Sequence, residues 1–86
     1  MKAIYKYPLE YKGFQVIELP QGYEILHIHV QNGIPCIWAL VDTGNKPVKT
    51  DIHMYATGDT IKDPGLEYIG TVHLLAGQAV FHVFRR

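Results

Sequence analysis

His27, His29 and Cys36 are the residues of this chain whose types could bind a metal or activate a nucleophile, and the turn beside them brings them together. Asn32-Gly33 between two apolar-rich runs signals a two-residue type I′ hairpin that pairs Gln31 with Ile34. That register sets His29 opposite Cys36, His27 opposite Trp38 and Ile25 opposite Leu40 on one face. Leu26, Ile28, Val30, Pro35, Ile37, Ala39 and Val41 fall on the other, which we read as core. Two imidazoles and a cross-strand thiol can converge on one tetrahedral ion. No fourth ligand and no Cys-x-x-Cys accompany them, so we expect Cys36 to be a small apolar filler and assign no metal and no cofactor.

The elements that must position these groups are strands. Residues 2–8 alternate and are aromatic, and Pro8 ends that strand or places it at a sheet edge; Gln15–Leu19 is a second strand, closed by Pro20-Gln21-Gly22. The hairpin 23–42 follows, then a polar loop from Asp42 to Pro47. Thr50–Thr57 alternates Ile52, Met54 and Ala56 against Asp51, His53 and Tyr55, as a half-buried strand does. A connection bounded by Gly58-Asp59-Thr60 and Lys62-Asp63-Pro64-Gly65 leads to a last hairpin, Leu66–Leu75 with Gln78–Arg86. Its turn around Ala76-Gly77 pairs Gln78 with Leu74 or with Leu75, and the choice moves His82 between faces. No long run carries a helical apolar period. The expected fold is therefore one all-β domain over residues 1–86, a small antiparallel β-sandwich or partly open barrel of about seven short strands.

Composition narrows the function. Eight Lys and Arg balance eight Asp and Glu, which removes the basic field of a protein dedicated to duplex DNA and leaves any anionic ligand to a local cluster. No segment reaches the ~20 apolar residues of a membrane span and none reads as a signal peptide, so we expect a soluble cytosolic protein. A single cysteine excludes an intramolecular disulfide. A chain of 86 residues buries only about 60–65% of its unfolded surface. Both faces of the 23–42 hairpin carry large apolar groups, so we expect a homo-oligomer with Trp38 at a subunit contact or pocket wall.

Three further groupings could carry chemistry. Lys2, Tyr5, Lys6 and Tyr7 at the start, and Phe84, Arg85 and Arg86 at the finish, place rings beside cations, as a stacked base with its phosphate requires. Lys46, Lys49, Thr50, His53, Tyr55, Thr57 and Gly58 form a second polar set. The third, Ala39-Leu40-Val41-Asp42-Thr43-Gly44, resembles the active-site strand of retroviral-type aspartic proteases, small all-β homodimers in which each subunit gives one Asp. The resemblance implies Asp42 as the dyad carboxylate, braced by Thr43 and Gly44, although Asn45 stands where that family has Ala or Ser. Asp-Thr-Gly also reads as an ordinary strand-to-turn ending.

Several stretches together resemble a family of small proteins of tailed phages and prophages: Ile4-Tyr5-Lys6-Tyr7-Pro8-Leu9, the hairpin from Gln31 to Asp42, Tyr55-Ala56-Thr57-Gly58, Asp63 to Thr71, and Val80-Phe81-His82-Val83-Phe84. The resemblance implies a setting, the host cytoplasm during infection, and no catalytic residues. In that setting we expect a non-enzymatic binding protein that sequesters a nucleotide-derived defence signal, a cyclic nucleotide or an ADP-ribose derivative, in a homo-oligomeric pocket. Trp38 and Tyr55 would stack the base, Lys6, Lys49, Arg85 and Arg86 would hold phosphate, and His27, His29 and His53 would donate hydrogen bonds. One alternative is a protein that binds and blocks a host protein by strand addition or an apolar patch. The other is the dimeric protease acting through Asp42.

Overall fold

The computed structural model describes residues Met1–Arg86 and is all-β, without a helix. Seven strands, β1 (Lys2–Pro8), β2 (Phe14–Pro20), β3 (Glu24–Gln31), β4 (Ile34–Asp42), β5 (Pro47–Ala56), β6 (Glu67–Leu74) and β7 (Ala79–Arg85), form two antiparallel sheets. Sheet A has the order β1-β4-β3 and sheet B the order β2-β5-β7-β6. The sheets do not close into a barrel. Each gives its alternate apolar residues to one shared core: Ile28, Ile37, Ala39 and Val41 from sheet A meet Leu19, Ile52, Met54, Val72, Leu74 and Val83 from sheet B. The period-2 pattern of β5 is obeyed, with Ile52 and Met54 buried and His53 and Tyr55 turned outward.

The Asn32-Gly33 turn is as the sequence dictates. Both residues lie in the left-handed region, with φ of 53° and 76°, and Gln31 pairs with Ile34, His29 with Cys36 and His27 with Trp38. Beyond His27 the expected register fails. A bulge at Leu26 makes Ile25 pair with Ala39 and Glu24 with Leu40, so Ile25 packs against the core and Leu26 is 45% exposed. The last hairpin adopts the second of the two expected registers, the two-residue loop: Leu74 pairs with Ala79, and Gln78 N donates to Leu75 O at 3.1 Å across Ala76-Gly77. Leu75 and Ala76 there have φ of 50° and 56°, a conformation costly for L side chains. It puts His82 opposite both Thr71 and Tyr55 on the outer face of sheet B.

Along one side the sheets meet at β3 and β6. Gly70 makes the approach possible, because a Cβ there would overlap Cγ2 of Ile28. A polar link ties the same side. The Arg85 guanidinium donates to the Tyr23 hydroxyl at 2.6 Å and stands over its ring, Thr50 donates to the same hydroxyl at 3.1 Å, and Glu67 accepts from Arg85 Nε at 2.9 Å.

Candidate functional site

The strand order of sheet B assembles a group of side chains that lie far apart in sequence. Phe14 on β2 pairs with His53 on β5, His53 with Phe84 on β7, and Phe84 with Tyr68 on β6. Cross-strand partners share a face. The register therefore sets four rings in one row across all four strands on the face turned away from the core. The Phe14 and His53 ring centroids are 5.2 Å apart, and those of Tyr68 and Phe84 are 5.4 Å apart, in tilted or edge contacts. Tyr55 adds a fifth ring, parallel to His53 within 6° and edge-on to Phe84. Phe14 is 51% exposed and Tyr68 57%. Large flat rings left open in this number are an invitation to a planar ligand or to another protein surface.

A hydrogen-bonded chain borders the rings. Tyr68 Oη and Thr71 Oγ1 are 2.5 Å apart, Thr71 Oγ1 and His82 Nδ1 3.0 Å, and His82 Nε2 and Thr57 Oγ1 2.8 Å. Both imidazole nitrogens are thereby occupied, which fixes the ring plane of His82 and leaves hydroxyl lone pairs for a ligand edge.

The residues singled out from sequence separate onto two faces. His53, Tyr55 and Lys49 lie on the outer face of sheet B; Lys6, His27, His29 and Trp38 lie on the outer face of sheet A, across the core. There the His27 and His29 rings stack at 5.7 Å, His27 lies 6.1 Å from Trp38, and Lys6 Nζ donates to Gln31 Oε1 at 2.7 Å. Trp38 is half-buried in the single chain. Cys36 is 2% exposed and its thiol faces Ile34 O at 3.5 Å, and nowhere do three His, Cys, Asp or Glu side chains gather as metal ligands. Arg85 is engaged by Glu67 and Tyr23, and Arg86 by Asp63. Phe14, Tyr68, Thr71 and His82, which complete the row and its polar border, carry no local motif.

Asp42 ends β4 in a turn, where its carboxylate accepts from the Met1 amino group at 3.0 Å and from Gly44 N–H at 3.1 Å. The hydrogen bond from the amino group, then that from Gly44, holds its pKa below the ordinary 3.8. Such a carboxylate stays ionised, whereas a protease dyad shares a proton between two.

Of four cavities in the surface, two lie beside features already described. One of about 520 Å³ opens among Tyr11, Val30, Leu74, Leu75, Ala79 and Phe81, with hardly a polar group to orient a ligand. The other, of about 250 Å³, lies beside the Tyr23–Arg85 link and has Tyr68, the end of the aromatic row, in its wall.

A family described as a domain of unknown function, DUF7352, matches residues 1–86. No curated protein and no solved structure matches the chain.

Proposed function

Since the chain belongs to the DUF7352 family over its whole length, we propose that it is a ligand-binding protein whose sheet B face stacks the base of a nucleotide. The observation that carries this reading is the row Phe14–His53–Phe84–Tyr68, joined at its middle by Tyr55 and bordered by the Tyr68–Thr71–His82–Thr57 chain. A base laid on such rings gains about 1–3 kcal/mol for each stacked contact. Hydroxyl and imidazole groups at the border discriminate among bases by their edges. The balanced charge argues for a small ligand with few phosphates and against a long polyanion. With the likeness of the sequence to small phage proteins, these features support a nucleotide-derived host defence signal, sequestered in the host cytoplasm without chemical change. Calorimetric titration with cyclic nucleotides and ADP-ribose derivatives tests the reading. Saturable binding abolished by Phe84→Ala supports it, and no heat from any of them at ~100 μM protein contradicts it.

The outer face of sheet A supports a second reading, a surface that blocks a host protein. Ile4 is 60% exposed and Leu26 45%, and they flank the half-buried Trp38 and Leu40. One host protein retained by wild type and released by Trp38→Ala would favour it.

A further inference from the structure

We infer that the free edge of β2 is a dimer interface: two copies of this chain pair antiparallel along it, with Val16 opposite Val16 on the two-fold axis. β2 is the terminal strand of sheet B and its only neighbour is β5. Met54 N donates to Gly13 O, and Gln21 N to Lys46 O, at the two ends of the β2–β5 ladder. In an antiparallel ladder alternate residues point their backbone groups to opposite sides. Odd-numbered residues of β2 therefore bond to β5, and Phe14, Val16 and Glu18 aim their N–H and C=O groups away from it.

Sheet edges in monomeric proteins are guarded by lysines, prolines or bulges. The edge of β1 follows that rule: Thr43 N bonds to Met1 O and Leu9 N to Pro35 O, which turns Lys2, Ile4, Lys6 and Pro8 outward. The edges of β3 and β6 lie against each other where Gly70 meets Ile28. β2 has no such guard before Pro20, and Phe14 and Val16 on it are 51% and 46% exposed.

The occupant follows from self-complementarity. Only even-numbered residues present groups to the edge, and centring the pair on Val16 uses all of them. Phe14 exchanges bonds with the partner's Glu18, Val16 with the partner's Val16, and Glu18 with the partner's Phe14. The phenyl ring covers the methylenes of the glutamate, whose charge already faces Lys49 across the β2–β5 ladder. The chain carries no net charge, so copies do not repel at neutral pH. A two-fold axis perpendicular to the sheets joins them edge to edge and keeps both aromatic faces on the same side. It also lines up Tyr68, Phe84, His53 and Phe14 of one protomer with the partner's Glu18 and then the partner's Lys49, two strand spacings or about 10 Å beyond Phe14. Within one chain Lys49 is offset from the row by about 13 Å along β5. The dimer thus supplies a cation in line with the rings, a step that rests on the nucleotide reading; the assembly itself does not.

The test is a charge exchange at the axis. Wild type at ~50 μM should show twice the 9.8 kDa chain mass by light scattering. Val16→Lys or Val16→Glu alone sets like charges opposite each other and should raise the dimer dissociation constant by about tenfold or more, while an equimolar mixture of the two variants should restore the dimer. A wild type of single-chain mass, or dimers of Val16→Lys as tight as wild type, would overturn the inference. Amide exchange on wild type decides the matter should a variant not fold: slow exchange at Phe14, Val16 and Glu18 is expected, and fast exchange at all three refutes the pairing. Loss of ligand binding with the dimer intact would count against the nucleotide reading alone.

Discussion

The hydroxyl of Tyr23, which precedes β3 in sheet A, accepts a hydrogen bond from the guanidinium of Arg85 on β7 of sheet B. The two sheets are therefore joined by a polar contact as well as by the core. Arg85 is about one-third exposed and bears a second charged partner in Glu67. Tyr23→Phe should cost about 1 kcal/mol in urea denaturation, the worth of a lost hydrogen bond. Arg85→Ala should cost about 1–3 kcal/mol, because it also removes the cation over the Tyr23 ring. Losses below about 0.5 kcal/mol for both would show that the link contributes nothing.

Gly70→Ala tests the seam between β3 and β6. The added methyl meets Cγ2 of Ile28, a side chain 8% exposed, and overpacking of this kind costs about 1–3 kcal/mol. Ile28→Ala opens space at the cost of a cavity. In the double variant the two losses should fall short of their sum, since each relieves the other. Strict additivity would place the close approach elsewhere.

Asp42 predicts an acid limb of stability. Its folded pKa lies below 3.8 because the Met1 amino group and the Gly44 N–H bond to the ionised form. A carboxylate with a depressed folded pKa stabilises the fold above its unfolded value, and that contribution disappears as pH falls through the folded value. Asp42→Asn should therefore melt lower than wild type at pH 7 and approach it as the pH falls below 3.8 and through the lowered folded value. A constant difference across this range would contradict the assignment. The same variant separates the protease alternative: cleavage of an unstructured peptide at pH 4–6 that vanishes in Asp42→Asn would establish catalysis by this carboxylate.

Local signals were legible in the sequence and long-range ones were not. Asn32-Gly33 set the hairpin register because few other dipeptides accept two left-handed residues in succession. The bulge at Leu26 left no mark, since an apolar residue there continues the core pattern without interruption. Leu75 and Ala76 occupy left-handed conformations that their residue types disfavour, so the turn residues could not choose between the two registers open to the last hairpin, of which the two-residue loop forms. Tyr55 and His53 were recognisable as candidates, but Phe14, Phe84 and Tyr68 become their neighbours only through the order β2-β5-β7-β6. That order is a property of the folded sheet. The same order separates Trp38 from Tyr55, which residue types alone had grouped at one ligand.

The most direct test of the stacking face is an NMR titration that follows the aromatic side-chain signals of the intact protein as a cyclic nucleotide or ADP-ribose is added. The account predicts saturable shifts at Phe14, Tyr55, Tyr68, Phe84 and His82, with Trp38, His27 and His29 on the opposite sheet unmoved. Shifts confined to Trp38 and the two histidines, or none with any nucleotide at millimolar concentration, would contradict it.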